Sequence, residues 1–498
     1  MKVLVLGDRP LTLEDVHAVS SGKVRVKLSP RATTRIRRAQ GYLLERIAAG
    51  ETLYGVNTGF GLLSNVRIEE SDLAQLQLNL LRSHAVGTGD PLRPEWVRSM
   101  LFLRAATLIQ GHSGVSVGTV QALLDLLNAD VIPWIPEQGS VGASGDLSPL
   151  AHLALVLIGE GRASVDGKWM DGAKALRARN LKPITLGPKE GLALINGTQF
   201  MAALAVNAVL EAEQLMRVAN LAGAMTLEAL RGTLTAFDER IHRVRPHPGQ
   251  IEVAQTIRDL LGRPGKSEIA RSHEGCGKVQ DPYSLRCIPQ VHGASLETIR
   301  FVRSIVEREI NSVTDNPLVF PDDGEVLSGG NFHGQYLALG MDFLAIATAE
   351  LASISEQRIE KLINPAISDL PPFLMKKSGI NSGFMIVQVA AASIVSENKT
   401  LCHPASVDTI PTSADKEDHV SMGAWAARKC LTVSRNVRRV LSMELLAAAQ
   451  GVDLLAPLKT TKKLEKLKAQ LRKEVPFFEE DAPFYEAIEK TEQLTWTL

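Results

Sequence analysis

Apolar positions recur at helical spacing over most of the chain. From about residue 60 onward, Trp96–Leu108, Thr119–Leu127, Leu147–Ile158, Thr198–Leu230, Ala294–Val313, Gly334–Leu362 and Val387–Glu397 are long or strongly apolar. Met422–Ala448 sets Val433, Val437, Val440, Leu441 and Glu444 at helical spacing, and Lys462–Glu474 puts Leu464, Leu467 and Leu471 on one face of a charged helix. Several of these segments exceed 20 residues with little Pro or Gly inside. That is the pattern of a helical bundle with a wide core. The start differs. Val3–Leu6 and Val24–Leu28 read as short strands, and Thr12–Asp15 has the form of a capping box between them. Ser29-Pro30 supplies an N-cap and first-turn pair for a helix with Ile36, Ala39, Leu43 and Ile47 on one face, stopping at Gly50. The arginines at 31, 35, 37, 38 and 46 are expected to be its solvated face. The pattern therefore predicts a mainly α protein: a long-helix bundle with a small N-terminal α/β portion and a site built on loops. An N-terminal domain is expected over residues 1–195 and a long central bundle with C-terminal helices over 196–498.

Composition narrows the class. The 498 residues carry 55 Lys+Arg against 55 Asp+Glu, a formal net charge of zero, with 45% apolar and 22% charged residues. This is a globular composition, without the global field that grips nucleic acid or an anionic membrane. Cys276, Cys287, Cys402 and Cys430 include no C-x-x-C pair, so neither a disulfide scaffold nor a zinc site is expected, and a reducing cytoplasm is the simplest compartment. Met1–Gly7 runs into Asp8-Arg9, which is wrong for a secretory signal. The apolar run Leu147–Gly159 is too short to span a bilayer, and Tyr336–Ser355 carries Asp342 and Glu350, costly in lipid. Burial between helices is the expectation for both, with no membrane partner.

Gly-rich loops interrupt the helical pattern: Tyr54–Gly61, Gly139–Gly145, Asn196–Gln199, Gln280–Arg286 and Ser328–His333, with the Gly-free Glu417–Met422 after them. Common motifs do not explain them. Gly265-Lys266-Ser267 has Leu260 where a P-loop needs Gly, no G-x-G-x-x-G follows the early strands, and no H-E-x-x-H occurs. Gly142–Asp146 lacks the glycine spacing of a nucleophile elbow. Alone, Ala143-Ser144-Gly145 reads more readily as a Ser-capped turn, with Asp146 capping a helix at Leu147. Tyr54 reads as a half-buried core phenol, Arg286 as a salt-bridge partner, and Asn196 and Gln280 as turn caps.

In context, Gly139-Ser-Val-Gly-Ala-Ser-Gly-Asp-Leu-Ser-Pro-Leu-Ala-His152 resembles the signature of the aromatic amino acid ammonia-lyases. The resemblance continues in order through Tyr54–Gly61, Ser83-His84, Asn196–Gln199, Gln280–Arg286, Asn331-Phe-His333 and Glu417–Met422, and so covers most of the chain. It implies that Ala143, Ser144 and Gly145 cyclise autocatalytically. The Gly145 amide nitrogen attacks the Ala143 carbonyl carbon, and loss of two waters leaves 4-methylidene-imidazole-5-one (MIO), with no pyridoxal phosphate and no metal required. The residue types suit this: Gly tolerates the compressed backbone, Ala is small, and Ser carries the oxygen to be eliminated. The product is an electrophile that divides a difficult deamination into easier steps. The resemblance further implies Tyr54 as general base, with a lowered phenol pKa. Tyr283 shapes the site or activates MIO, Asn196 and Gln280 orient the MIO oxygen or the substrate carboxylate, Arg286 clamps that carboxylate, and Phe332 is an apolar wall.

Within the family, His84 and Glu417 point to the histidine-acting members, because an imidazole and a carboxylate can both bond a substrate imidazole. The activity implied is non-oxidative deamination of L-histidine to trans-urocanate and ammonia, the first step of histidine degradation, by a homotetramer whose sites draw on several subunits. His84 is followed by Ala85, which keeps open a tyrosine-acting lyase or an aminomutase on the same scaffold. An MIO-free lyase of the fumarase type and a non-enzymatic helical scaffold are the alternatives outside the family. Asp415-Lys-Glu-Asp-His419 departs from the Asn-Gln-Glu-Asp-His form of many histidine-acting members, leaving the charge balance beside Glu417 open.

Overall fold

The computed structural model describes residues 2–59, 61, 65–263, 265–275 and 279–498. Phe60 of the first Gly-rich loop and Cys276 lie outside the described residues. Helix makes up 59% of the structure, which makes the protein mainly α.

The N-terminal α/β portion forms as its pattern predicts. Strands Lys2–Leu6 and Val24–Leu28 pair in parallel from Lys2↔Val24 to Leu6↔Leu28, joined through the helix Leu13–Ser20. Thr12 and Asp15 close the capping box in both directions. Ser29 caps the helix Pro30–Ala48, which buries Ala32, Ile36, Ala39 and Leu43, with Ile47 partly buried. Of its arginines, Arg35 is half-buried and spans to the carbonyls of Ile109 (3.2 Å) and Gly7 (3.3 Å). The long helices run Pro94–Leu108, Val117–Asn128, Leu147–Leu157, Gln199–Ala229, Ile288–Glu309, Gln335–Ile363, Met385–Leu401, Gly423–Leu454 and Lys462–Glu474. Further short strands, among them Thr88–Pro91 against Pro136–Gln138 and the hairpin Leu318–Phe320/Glu325–Leu327, carry no alternation long enough to read in sequence.

The chain folds into two compact units that are not consecutive stretches. The first comprises residues 1–207, 303–341 and 404–428; the second comprises 208–302, 342–403 and 429–498. The boundary expected at 195/196 falls within the first unit.

In the second unit, fully buried charged pairs join long helices. Arg358 forks onto Glu444, both fully buried, and Thr226 donates to the same carboxylate at 2.7 Å. Lys429 pairs with Asp342 at 2.7 Å, both 1% exposed. Gln335–Ile363 is long and apolar enough to cross a membrane by length and composition, but 61% of its most apolar window is buried inside the protein.

In the first unit, the helices Leu73–His84, Leu147–Leu157 and Glu190–Ile195 pack on one another. This triad brings together the end of the first (His84), the loop before the second (Ala143–Gly145) and the turn after the third (Asn196). The third helix is anchored by buried charge. Lys189, in the left-handed region at φ 65°, donates to Asp315 at 2.6 Å and to the Ser113 carbonyl at 2.8 Å, and both charged side chains are fully buried. Glu190 accepts from Ser116 N–H, the Thr119 hydroxyl and Gly187 N–H at 2.6–2.7 Å. Removing one partner of a buried pair strands the other in a poor solvent. Asp315→Ala is therefore expected to destabilise the first unit by about 3–5 kcal/mol, read as a lower urea midpoint; an unchanged midpoint contradicts the anchoring role.

Candidate active site

Three turns meet at Ser144, two of them dependent on glycine. Gly142 and Gly145 both lie in the left-handed region, at φ 68° and 70°. A Cβ on Gly145 would run into the Gly197 carbonyl, and one on Gly142 into the Ser421 hydroxyl. Only glycine meets both the backbone angle and the space. The close approach is used: Gly145 and Gly197 form a parallel bridge, and Asp146 N–H donates to the Gly197 carbonyl at 2.7 Å. Met422 N–H reaches the Val141 carbonyl at 2.8 Å, and the Ser421 hydroxyl the Gly142 carbonyl at 3.0 Å. The loop is thus held on one side by Asn196–Gly197 and on the other by Ser421–Met422. Ala143 and Gly145 are buried while Ser144 between them is half-exposed.

Ser144 has two partners. Its hydroxyl donates to Glu417 Oε1 at 2.9 Å, and its carbonyl accepts from Asn196 Nδ2 at 2.9 Å. Glu417 is set by a bridge between Thr412 and Glu417, and its Oε2 accepts from the Thr412 hydroxyl at 2.6 Å. Lys416 is exposed while Glu417 is half-buried. Asn196 Oδ1 is buried without a protein partner, leaving an acceptor unsatisfied beside Ser144.

Asp146 does not cap the helix that follows it, contrary to the turn reading. Its side chain makes no capping bond there. It accepts instead from Met201 N–H at 2.9 Å, at the start of Gln199–Ala229, and from the Ser140 hydroxyl at 3.0 Å. A carboxylate at the other helix's N-terminus satisfies a free donor there. Burial pushes the Asp146 carboxyl up to about 7, against the lowering effect of those donors.

Tyr54, His84, Ser144, Asn196, Phe332 and Glu417 all line one cavity of about 760 Å³ in the first unit. This is the size of a small-molecule site. Leu80, Leu147, Leu192 and Ile195 supply apolar wall, and Asn316, Ser328 and Gly329 a polar edge. The Tyr54 hydroxyl accepts from Gly61 N–H at 3.3 Å. His84 Nδ1 lies 3.0 Å from the Ser83 hydroxyl, which also reaches the Leu80 carbonyl at 3.2 Å. Burial lowers the His84 pKa below its usual 6.5, although a backbone hydrogen bond at Leu80 and the Glu417 charge act the other way. The ring is therefore neutral at pH 7 and offers one nitrogen beyond the one facing Ser83. Behind it, His152 Nε2 accepts from Gly87 N–H at 3.0 Å, and burial and the Arg162 charge lower its pKa to about 4, which keeps it an acceptor.

Gln280, Tyr283 and Arg286 belong to the second unit. Gln280 is exposed, Tyr283 is 72% exposed, and the Arg286 guanidinium carbon lies 4.5 Å from the Tyr283 ring centre. Among the described residues, no group of three or more His, Cys, Asp or Glu side chains stands close enough to hold a metal ion.

Sequence reasoning passed over the residues behind the site: Ser140, Thr412, Ser421 and Arg104, and the bond of Asp146 to Met201 N–H. A charge inside the apolar run Met100–Ala106 was the available signal for Arg104. Thr412 and Ser421 are ordinary polar loop residues with no signal of their own.

The aromatic amino acid lyase family matches residues 11–473. A histidine ammonia-lyase of Anaeromyxobacter dehalogenans (strain 2CP-C) is 53% identical, over 99% of this chain and 98% of its own. That of Homo sapiens is 50% identical, over 98% of this chain and 76% of its own. The crystal structure of histidine ammonia-lyase from Trypanosoma cruzi aligns with a TM-score of 0.92 at 48% identity, covering 100% of this chain and 94% of that one. With that extent of agreement in sequence and in fold, the chain belongs to the aromatic amino acid lyase family of carbon–nitrogen lyases.

Proposed function

We propose that the chain deaminates L-histidine to trans-urocanate and ammonia, the first step of histidine degradation, at the cavity around Ser144. The observation that carries this reading is the meeting of Ser144 with Glu417 in a cavity also lined by His84. The half-identical relatives support it, being histidine ammonia-lyases.

The residues around Ser144 fit a group made from Ala143, Ser144 and Gly145. Gly145 is bent and pressed on Gly197, Asn196 Nδ2 holds the Ser144 carbonyl, and Glu417 holds the hydroxyl that cyclisation must expel. Once formed, MIO supplies an electrophilic alkene for capturing the substrate. The chain's own side chains do the remaining work. Tyr54 takes the proton from the substrate β-carbon. Neutral His84 and the Glu417 carboxylate read the imidazole ring, one as a hydrogen-bond partner and the other as an acceptor for ring N–H. Asn196 orients the group next to it, and Phe332 closes an apolar wall.

Gln280, Tyr283 and Arg286 complete the site in a homotetramer, with Arg286 clamping the substrate carboxylate. The exposure of Tyr283 supports this, since an unshielded aromatic ring beside a guanidinium is suited to a neighbouring subunit. A cytoplasmic location agrees with the unpaired thiols Cys287, Cys402 and Cys430.

Ser144→Ala removes the oxygen that must leave, while a methyl group fits the same turn. Urocanate production, followed in the ultraviolet, is expected to vanish with the melting temperature nearly unchanged; near-wild-type turnover by the purified variant would exclude the cyclisation mechanism. His84→Leu leaves a substrate ring nitrogen buried and unpaired, at about 1–3 kcal/mol. kcat/KM for histidine is expected to fall about 5- to 150-fold, with phenylalanine spared in relative terms. An unchanged ratio of histidine to phenylalanine turnover would show that His84 does not read the imidazole.

A further inference from the structure

Arg104 is a buried cation that the proposed reaction does not use. It lies in Pro94–Leu108, in the middle of an apolar run of that helix, and its side chain is fully buried. Burial lowers its pKa to about 10, so it remains charged at neutral pH. The carboxylate that favours its charge, Asp315, is already engaged by Lys189 at 2.6 Å. A buried charge without a carboxylate of its own is costly, and this one is directed at a specific target.

Nη1 of Arg104 donates to the Asn196 carbonyl at 2.8 Å and to Gln199 Oε1 at 2.7 Å. Gln199 is fixed in turn: its Nε2 donates to the Thr107 hydroxyl at 3.0 Å and the Thr314 hydroxyl at 2.8 Å, which forces Oε1 toward Arg104. A Cβ on Gly197 would strike Arg104 Nη1, so the guanidinium lies directly against the Asn196–Gly197 turn. That turn grips the Ala143–Gly145 loop by its side chain, through Asn196 Nδ2 to the Ser144 carbonyl, and by its backbone, through Asp146 N–H to the Gly197 carbonyl.

We propose that Arg104 is a positioning residue for the cyclisation of Ala143-Ser144-Gly145, acting with Gln199 to hold the Asn196–Gly197 turn against that loop. The proposal rests on the cyclisation reading above. Attack by the Gly145 nitrogen on the Ala143 carbonyl requires a compressed loop, and compression requires a rigid turn to press on it. The planar guanidinium serves two acceptors from a single nitrogen, at a fixed angle that an ammonium group on a flexible stem does not reproduce.

The test follows the mass of the peptide containing residues 143–145 at intervals after synthesis, in the wild-type chain and in Arg104→Lys and Gln199→Leu. Leu123→Ala, a fully buried residue in Val117–Asn128, is the control for lost stability alone. Arg104→Lys and Gln199→Leu are expected to lose the two waters about 10- to 100-fold more slowly than a control of matched melting temperature. Their cyclised fraction is expected to turn over with a KM near wild type. If Arg104→Lys fails to fold, Gln199→Leu, which keeps the charge and removes its partner, decides. Cyclisation at the control's rate in the folded variants overturns the proposal alone. An uncyclised wild-type chain overturns both it and the functional reading.

Discussion

The site depends on one backbone contact: Gly145 pressed against Gly197, with no room for a side chain on the inner face of either turn. A parallel bridge between two loops, far apart in sequence, is weak in isolation. Here it closes because the three helices around it pack together and because Lys189–Asp315 and Glu190 anchor the shortest of them. The apolar faces position these helices to within side-chain contact. The hydrogen bonds of Asp146, Asn196 and Ser140 then set the loop at finer precision.

Buried charge is concentrated around this contact. Arg104, Lys189, Asp315 and Asp146 are all fully buried in the first unit. Each carries a desolvation cost, which the pKa of Asp146, raised to about 7, and that of Arg104, lowered to about 10, both express. Hydrophobic residues would fill the same space more cheaply. A charged network confers directional bonds to backbone groups of turns that have no helical or sheet ladder of their own. Ser144 keeps its hydroxyl on Glu417, so that hydroxyl and the carboxylate beside it share one pocket.

Much of the fold was legible because it rests on local rules. The Thr12 capping box, the Ser29-Pro30 helix start and the 3.6-residue spacing of Leu464, Leu467 and Leu471 appear in the structure as the pattern implies. The short strands were not legible, since Ile132–Pro133 and Pro136–Gln138 are too brief to show alternation and form only where partners are supplied. For the site, the motifs around His84, Ser144, Asn196 and Glu417 indicated one cavity, but the partners of Asp146 and Arg104 did not follow from sequence. Asp146 stands one residue before a helix and reads as its cap. Only tertiary packing brings Met201 N–H within its reach. The interleaved units have a similar cause, because residues 303–341 and 404–428 return to the first unit after long excursions through helices of the second.

The central claim is that this geometry turns Ala143, Ser144 and Gly145 into a single electrophilic group without help from another molecule. It is tested most directly by the mass of the peptide spanning Gly139–Leu147 from the chain folded in vitro from its purified unfolded form. The account predicts a peptide lighter than its sequence by two water molecules. A peptide of full mass from a correctly folded chain would contradict it.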